Sequence, residues 1–179
     1  MRRRFHPPRR GRLVLLAAVL LLALARGWRL SQQPVVPETL SEGTHRLERV
    51  VDGDTLLLTG GARVRLIGVD CPETVRPDHP VEAWGPEAAA FTRRFVAGGQ
   101  VRLQFDRERV DRYDRFLAYV FVGERMLNEE LVRAGLARVE HRFHYSQTLQ
   151  RRFDRAEQEA RDAQLGIWSD HIPSSSGSL

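Results

Sequence analysis

The sequence predicts an α+β domain that is mainly β, built as a small Greek-key barrel of about five strands with three helices. The first half of the chain body consists of short apolar or alternating segments of strand length. One helical segment separates this group from two further strands, and two more helical segments follow. A barrel with a helix between its third and fourth strands accounts for this order of elements.

The first three strands are predicted on either side of two glycine-containing turns. The segments "HRLERVV" and "TLLL" flank Asp52–Asp54, and "ARVRLIGV" follows the pair Gly60-Gly61. A Gly-Gly pair between two strand-like runs is typical of a hairpin connection. We therefore expect the second and third strands to form a hairpin.

The last two strands differ in their hydrophobic pattern. "VRLQF" alternates and places Val101, Leu103 and Phe105 on one face. "FLAYVFV" is a continuous apolar run, which predicts a strand buried on both sides. A barrel of this kind is an OB-fold, in which one face binds oligonucleotides.

Three segments carry helix signals. "GPEAAAFTRRFVAGG" has Pro86 at its first helical position and stops at a Gly-Gly pair. "NEELVRAG" predicts a short helix with Asn128 as its N-cap. The last helix is predicted to begin near Ser146 and to stop at Gly166. Its apolar face repeats at helical spacing: Leu149, Phe153, Ala156, Ala160 and Ala163.

The predicted domain occupies residues 44–170, between two segments of a different character. Residues 26–43 are polar and proline-containing, which predicts a linker, and residues 171–179 predict a flexible tail. Residues 1–25 begin with six arginines ahead of an apolar run, Leu13–Ala25. At ~1.5 Å per residue this run would span roughly 20 Å, which is short for a ~30 Å bilayer core.

This N-terminal pattern predicts export. It fits a cleaved secretory signal peptide, and it also fits an uncleaved membrane anchor through residues 13–25. Both alternatives place the domain outside the cytoplasm, as a secreted, periplasmic or membrane-anchored protein. We expect a monomer. Cys71 is the only cysteine, so the exported domain has no intrachain disulfide and must depend on its core.

The charge of the body is nearly balanced. The formal net charge is +5, but six of the 28 arginines precede the apolar run, leaving 22 against 23 acids. A polyanionic partner would therefore be held by the local placement of arginines and not by a general basic field.

The stretch "VVDGDT" places two acids inside an apolar run. In an extended chain Asp52 and Asp54 point to the same side, and such a pair is stable when ionised only beside a cation. An ordinary Asp-Gly turn at a strand end is the alternative. The next strand is followed by Asp70 and Glu73, whose oxygens, with those of the first pair, suit Ca²⁺ or Mg²⁺.

Two arginines complete this candidate site. Arg65 lies in the third strand, and Arg115 lies in "DRYDRFLAY" just before another strand. Arg65 and Asp70 are five residues apart, so an unbroken strand would point them to opposite faces. The site therefore requires a bend or bulge between them, and Gly68 is the natural position for it.

Six blocks in this order resemble the staphylococcal, or thermonuclease-type, nuclease family: "VVDGDT", "VRLIGVDCPE", "WGPEAAAFTRRFV", "DRYDRFLAY", "LNEELVRAGLARV" and "LGIWS". The resemblance covers about residues 44–169. It implies an OB-fold barrel with three helices and a Ca²⁺-dependent phosphodiesterase. Such an enzyme acts on DNA and RNA and leaves 3′-phosphate ends.

The resemblance also implies roles for individual residues. Asp54 and Asp70 match the calcium-binding carboxylates, Cys71 matches a position that supplies its backbone carbonyl, and Asp52 matches an acid that acts on the metal through water. The matches to catalytic residues are Glu73, as general base, and the two arginines, Arg65 and Arg115.

The residues expected to bind substrate match the family pattern less well than the metal-binding and catalytic residues do. We expect Arg112, Tyr113 and His141 to contact the nucleic acid. His141 and Phe143 stand where the secreted staphylococcal enzyme of the family has tyrosines near the nucleotide, so rings that can stack remain while the phenolic hydroxyls are lost. Asp114 stands where the family commonly has glycine, and aspartate tolerates the same left-handed turn.

Two functions of different classes follow from the sequence. One is the calcium-dependent endonuclease. The other is a non-catalytic OB-fold module that binds nucleic acid or a protein partner. Completeness of the site favours the enzyme, because a module without catalysis would be free to lose carboxylates or arginines.

Overall fold

The computed structural model describes residues 39–74 and 81–170. The predicted signal or anchor, most of the predicted linker and the predicted tail lie outside these residues. In the part of the chain that is described, no helix is long and apolar enough to cross a membrane.

The strands within the described residues are β1 (Gly43–Asp52), β2 (Thr55–Leu58), β3 (Arg63–Leu66), β4 (Val69–Asp70), β5 (Gln100–Gln104), β6 (Phe116–Val122), β7 (Arg125–Met126) and β8 (Arg138–Val139). Strand β1 pairs with β2 on one side and with β5 on the other, and β5 continues to β6. Strands β3 and β6 pair in parallel and so close the ring. The result is the predicted five-stranded barrel, with mixed strand directions.

The barrel core is formed by the inward faces of these strands. Strand β5 alternates as predicted, with Val101 and Leu103 almost fully buried. Strand β6 is buried over Phe116–Val120, whereas Phe121 and Val122 are partly exposed. Leu40 is also buried and β1 already begins at Gly43, so the folded body extends into the end of the predicted linker segment.

The helices in the described residues are α1 (Gly85–Phe95), α2 (Leu127–Arg133) and α3 (Gln147–Asp162). Proline stands in the first turn of α1, and α3 follows Ser146, both as predicted. Phe153, Ala156 and Ala160 of α3 are buried against the barrel. Ala163, predicted for the same face, is exposed, because the helix ends one residue before it.

The prediction that Asn128 caps α2 is wrong. The helix starts at Leu127 with Met126 as the capping residue, so Asn128 lies in the first turn. The Asn128 side chain is fully buried, accepts a hydrogen bond from Val120 N and donates to the carbonyl oxygens of Ile67 and Ala118. Buried backbone N–H and C=O groups need hydrogen-bond partners, and the Asn128 amide supplies them here. These bonds join α2 to the barrel.

The third predicted strand is interrupted at Gly68, where the sequence predicted a bend between Arg65 and Asp70. Gly68 has φ +78°, and the chain resumes as β4, which pairs with β8 through Val69 and Asp70. A Cβ atom on Gly68 would lie 2.7 Å from the ring of Tyr145, so both backbone angle and space favour glycine. This turn lets Arg65 and Asp70 face each other.

Candidate active site

Arg65 lies between two acids at the end of the barrel. Its Nη1 atom is 2.9 Å from Asp54 Oδ2, and its Nη2 atom donates to Asp70 Oδ1 at 2.6 Å. Nη1 also donates to the carbonyl oxygens of Val69 at 2.7 Å and Leu66 at 3.2 Å. The guanidinium is therefore the cation that the two acids share, and its planar fork fits both at once.

Asp54 is fixed by further hydrogen bonds. Its Oδ1 atom accepts from the hydroxyl of Thr55 at 2.9 Å, and its Oδ2 atom accepts from Cys71 N at 2.9 Å. The Asp54 side chain is buried, as is that of Arg65. The turn that carries Asp54 and the short strand that ends in Asp70 are thus held together by a network of charged groups.

Asp52 has different partners from Asp54. Its Oδ1 atom accepts from Gly53 N at 2.8 Å and from the Thr74 hydroxyl at 2.7 Å, and its Oδ2 atom accepts from Thr74 N at 3.1 Å. Asp52 therefore anchors the segment that follows β4, next to Glu73. The two acids of "VVDGDT" do not form a bare like-charge pair, because each is bound to donors from a separate part of the site.

A small cleft brings two of the three predicted catalytic side chains, Glu73 and Arg115, together with these acids. Its lining comprises Val51, Asp52, Asp54, Thr55, Arg63, Glu73 and Arg115. Asp70 and Cys71 border a second groove alongside Arg138 and Trp84. A phosphodiester in the cleft would meet an exposed carboxylate, Glu73, and a guanidinium, Arg115, at the same place.

Arg115 is held in position by Asp111. The Nε and Nη2 atoms of Arg115 both lie 2.7 Å from Asp111 Oδ2, and the Arg115 backbone N–H donates to Asp111 Oδ1. Burial is the largest single effect on the pKa of Asp111 and would raise it. The hydrogen bonds and the charge of Arg115 outweigh burial together, so the pKa of Asp111 is lowered. Asp114, between the two, adopts φ +58°, the left-handed turn predicted for it.

The pKa values of two site acids are raised. Burial is the largest cause for Asp70, and the charge of Asp54 adds to it while Arg65 opposes it. Burial is also the first cause for Glu73, followed by the charges of Asp54 and Asp52. The negative charge of Asp54 thus contributes to the raised pKa of both neighbouring acids, as expected for carboxylates that lie close together.

Cys71 is buried directly behind Asp54. Burial raises the pKa of its thiol well above the usual value, and Asp54 adds to this effect. A buried thiol that resists ionisation is a poor nucleophile. The structure thus favours a packing role for the Cys71 side chain.

The three predicted substrate-binding residues are not all in one place. The exposed ring of Tyr113 lies 5.4 Å from the Arg115 guanidinium, and Arg112 lies 4.7 Å from the same ring and donates to its hydroxyl. His141 is exposed and its Nε2 atom lies 3.2 Å from Asp154 of α3. Arg112 and Tyr113 are therefore beside Arg115, His141 is beside α3, and none of the three belongs to the cleft lining given above.

The donor atoms of the site suit a hard cation. Asp54 and Asp70 present carboxylate oxygens to one shared cation, Arg65, and after burial the charges of Asp54, Asp52 and Asp70 raise the pKa of Glu73. Within residues 39–74 and 81–170, no three His, Cys, Asp or Glu side chains stand together as a complete metal cage. A Ca²⁺ ion bound here would complete its shell with backbone carbonyl oxygens and water, which Ca²⁺ accepts readily.

Sequence reasoning missed two residues of this site. Arg63 lines the cleft beside Arg115, and its position two residues before Arg65 in "RVRL" was a usable signal, because alternate strand residues share a face. Thr74 donates hydrogen bonds to Asp52, and no local pattern in the sequence indicates that contact.

The fold and the site together define a class of protein, an OB-fold phosphodiesterase with a carboxylate and arginine centre at one end of the barrel. The family model described as "Staphylococcal nuclease homologue" matches residues 63–170. The chain belongs to the staphylococcal nuclease family.

Curated relatives support this assignment over most of the chain. The chain is 38% identical over 167 residues to "Thermonuclease" of Staphylococcus hyicus, covering 89% of this chain and 96% of that protein. It is 41% identical over 128 residues to "Thermonuclease" of Staphylococcus intermedius, covering 70% and 76%. It is 38% identical over 127 residues to "Endonuclease YncB" of Bacillus subtilis (strain 168), covering 69% and 60%.

Proposed function

We propose that this nuclease is an endonuclease that uses Ca²⁺ to hydrolyse phosphodiester bonds of DNA, RNA or both and leaves 3′-phosphate ends. The observation that carries the proposal is the cleft in which Glu73 and Arg115 meet the acids of "VVDGDT". The names of the relatives, thermonuclease and endonuclease, support the same reaction class.

We assign Glu73 as the group that accepts a proton from the attacking water. It lines the cleft and is exposed, so water reaches it. Its raised pKa makes the ionised carboxylate a better proton acceptor than an ordinary glutamate. In the proposed reaction, water loses a proton to Glu73 and attacks phosphorus. The bond from phosphorus to the 5′ oxygen then breaks, so the upstream fragment keeps the phosphate on its 3′ oxygen, and the 5′ oxygen of the downstream fragment leaves as a hydroxyl after taking a proton from water.

The arginines are assigned to the charge that develops on the phosphoryl oxygens. Asp111 binds the Nε and Nη2 atoms of Arg115, and these bonds hold the guanidinium in a fixed orientation at the cleft. A positioned donor of this kind stabilises a developing oxyanion without first having to reorganise. Neither arginine serves as a proton donor, because a guanidinium is not deprotonated in proteins.

The residues that would hold Ca²⁺ are Asp54 and Asp70 directly, Cys71 through its backbone carbonyl, and Asp52 through water. When bound there, Ca²⁺ would neutralise charge on the phosphate and support ionisation of a nearby water. The other steps are performed by the side chains described above.

A direct test measures cleavage of single-stranded DNA and of RNA by the full chain, with calcium and with a chelator. We expect cleavage only with calcium, and its loss in Asp54→Asn and Asp70→Asn. Glu124→Gln is the matched control, since Glu124 is an exposed acid in the turn between β6 and β7. Full activity in chelator would overturn the calcium requirement. Products whose ends do not respond to a 3′-phosphatase would overturn the predicted end chemistry.

We also propose that the protein is exported. The support is the arginine-rich start followed by the apolar run Leu13–Ala25. Fractionation of expressing cells, with mass spectrometry of the N-terminus, tests this proposal. An N-terminus near residue 26 on the exported protein indicates a cleaved signal, and an intact N-terminus in the membrane fraction indicates an anchor. Recovery of the intact chain in the cytoplasm would overturn export.

A further inference from the structure

An ion pair beside the site, between Glu140 and Arg142, has no part in the reaction as proposed above. The Nε and Nη2 atoms of Arg142 lie 2.7 and 2.6 Å from Glu140 Oε2, and the Arg142 backbone N–H donates to Glu140 Oε1 at 2.8 Å. The Arg142 side chain is 71% exposed, whereas that of Glu140 is only 15% exposed. The partly buried acid thus holds a guanidinium outward into solvent.

The pair lies against the turn that shapes the site. Strand β8 runs antiparallel to β4, with Asp70 opposite Arg138, and the Glu140 backbone N–H donates to the Gly68 carbonyl at 3.0 Å. The same short ribbon therefore carries a predicted metal ligand on one strand and this ion pair just beyond the end of the other.

Electrostatic effects agree with this placement. The raised pKa of Asp70, which is due first to burial, is raised further by Glu140 and lowered by Arg142. The pKa of Arg142 is raised, mainly by Glu140, with smaller contributions from Asp70 and Tyr113. The hydrogen bond from Glu140 to Gly68 and the pairing of β8 with β4 thus place Arg142 beside the turn that carries Asp70.

We propose that Arg142 is a further substrate-binding residue, which contacts a backbone phosphate next to the one being cleaved. The proposal rests on the proposed function, because it needs a nucleic acid strand in the cleft between Glu73 and Arg115. A strand that passes from Tyr113 towards Asp70 would bring a neighbouring phosphate to this exposed guanidinium. Guanidinium forks bind phosphate oxygens well, because their N–H groups match the spacing of those oxygens.

Glu140 is then a positioning residue. It restricts the rotamers of Arg142 in advance, so less conformational entropy is lost when a phosphate binds. Its negative charge opposes the phosphate at the same time. Glu140→Gln removes this repulsion. It should therefore strengthen substrate binding or leave it unchanged, provided that Arg142 remains the group that contacts the phosphate.

A purely structural role for Arg142 gives different expectations. If Arg142 only neutralises Glu140, then Arg142→Gln weakens binding by exposing an unpaired acid. The double variant Glu140→Gln/Arg142→Gln would then recover wild-type binding. If Arg142 contacts a phosphate, the double variant keeps the defect.

The experiment uses the full chain with calcium and a single-stranded oligodeoxythymidylate of roughly 16 nucleotides, the upper end of OB-fold site sizes. Values of kcat and KM are measured over a series of salt concentrations for wild type, both single variants and the double variant. Arg125→Gln is the matched control, because Arg125 is also exposed and paired to a glutamate, Glu130, but lies beyond the opposite end of β6 from Arg115.

We expect Arg142→Gln to raise KM about fivefold at low salt with little change in kcat. The slope of log KM against log salt should fall by about 0.7, the value for one lost phosphate contact on a single strand. The double variant should keep the shallower slope, and Arg125→Gln should match wild type. Arg142→Lys should retain most of the slope, because a point charge still attracts phosphate.

Recovery of the wild-type slope in the double variant would overturn the proposal, as would an unchanged slope in Arg142→Gln. Both results leave the proposed function intact, because wild-type cleavage is measured in the same series. Absence of cleavage by wild type with calcium would instead refute the proposed function, and the proposal about Arg142 with it.

Discussion

At the scale of single residues, Arg65 and Arg115 have the same predicted role but different surroundings. Arg65 is buried and contacts Asp54, Asp70 and two backbone carbonyls, so it also holds the strand ends together. Arg115 is held by Asp111 alone at the edge of the cleft. The sequence assigned both to catalysis, and the structure adds a stabilising role for one of them.

Lysine substitutions should separate these two roles. Arg115→Lys should lower kcat by roughly 10² to 10³ with little change in stability, because the donor fork is lost at an accessible site. Arg65→Lys should lower kcat and also the free energy of unfolding, because a buried ammonium cannot span both acids. Steady-state kinetics and urea unfolding of both variants test this. Near-wild-type turnover in both would contradict the assignment.

Asp70 gives a prediction of pH dependence. Burial raises the pKa of Asp70 in the folded protein above its ordinary value, so the protonated form favours the fold. This contribution to stability is fully present below the unfolded-state pKa and is lost as pH rises through the folded-state pKa. Asp70→Asn keeps an oxygen for Arg65 but cannot ionise, so its stability advantage over wild type should grow with pH.

Urea unfolding in chelator, from about pH 4 to pH 7, measures this advantage. Glu124→Gln, at an exposed turn, controls for the loss of one negative charge. A constant difference between Asp70→Asn and wild type across the pH range would show that Asp70 does not titrate as described.

At the scale of elements, the site depends on how short segments are joined. Asn128 of α2 bonds to backbone groups of Val120 and Ala118 in β6 and of Ile67 in the bend between β3 and β4. The bend positions Asp70, so a helix residue distant from the cleft helps to set the geometry of the site. The side chain is fully buried, and water cannot replace these bonds without rearrangement.

Asn128→Ala should lower the free energy of unfolding by about 3 kcal/mol, because several buried backbone groups lose their partner. Gln104→Ala, on the exposed edge of β5, should change stability by less than about 0.5 kcal/mol. Denaturant unfolding compares the two. A loss for Asn128→Ala no larger than that of the control would mean that these bonds are weak or easily replaced.

At the scale of the whole molecule, two glycines join the end of α2 to the C-terminal turn at Gly166–Trp168. Gly135 and Gly166 both have positive φ, and Ile167 N donates to the Gly135 carbonyl at 2.8 Å. A Cβ atom on Gly135 would overlap the Leu165 carbonyl, and one on Gly166 would overlap the Gly135 carbonyl. Backbone meets backbone here, so no side chain can move aside to make room.

Gly135→Ala and Gly166→Ala should therefore each destabilise the protein by at least about 3 kcal/mol, through strain and overlap combined. Gly60→Ala is the control. Gly60 also has positive φ but no atom within 4 Å of its added Cβ, so it should lose only about 1 kcal/mol. Thermal unfolding of the three variants tests this, and equal losses would show that backbone angle alone matters.

The sequence by itself determined the family and the barrel, and it predicted the set of site acids and arginines. Strand and helix periodicity are local properties, and the six ordered blocks place Asp54, Asp70, Arg65, Glu73 and Arg115 in a known pattern. The bend at Gly68 was also predictable, because Arg65 and Asp70 could not otherwise share a face.

Only the tertiary structure decided which groups are partners. Asn128 looked like a helix cap because cap signals are local, but its bonds reach Ile67, far away in the chain. Asp52 looked like half of a repelling pair, yet it binds Thr74. The Glu140–Arg142 pair gains its place at the site through the pairing of β8 with β4. Contacts between distant segments depend on how the chain closes on itself, and no local pattern of residues encodes that closure.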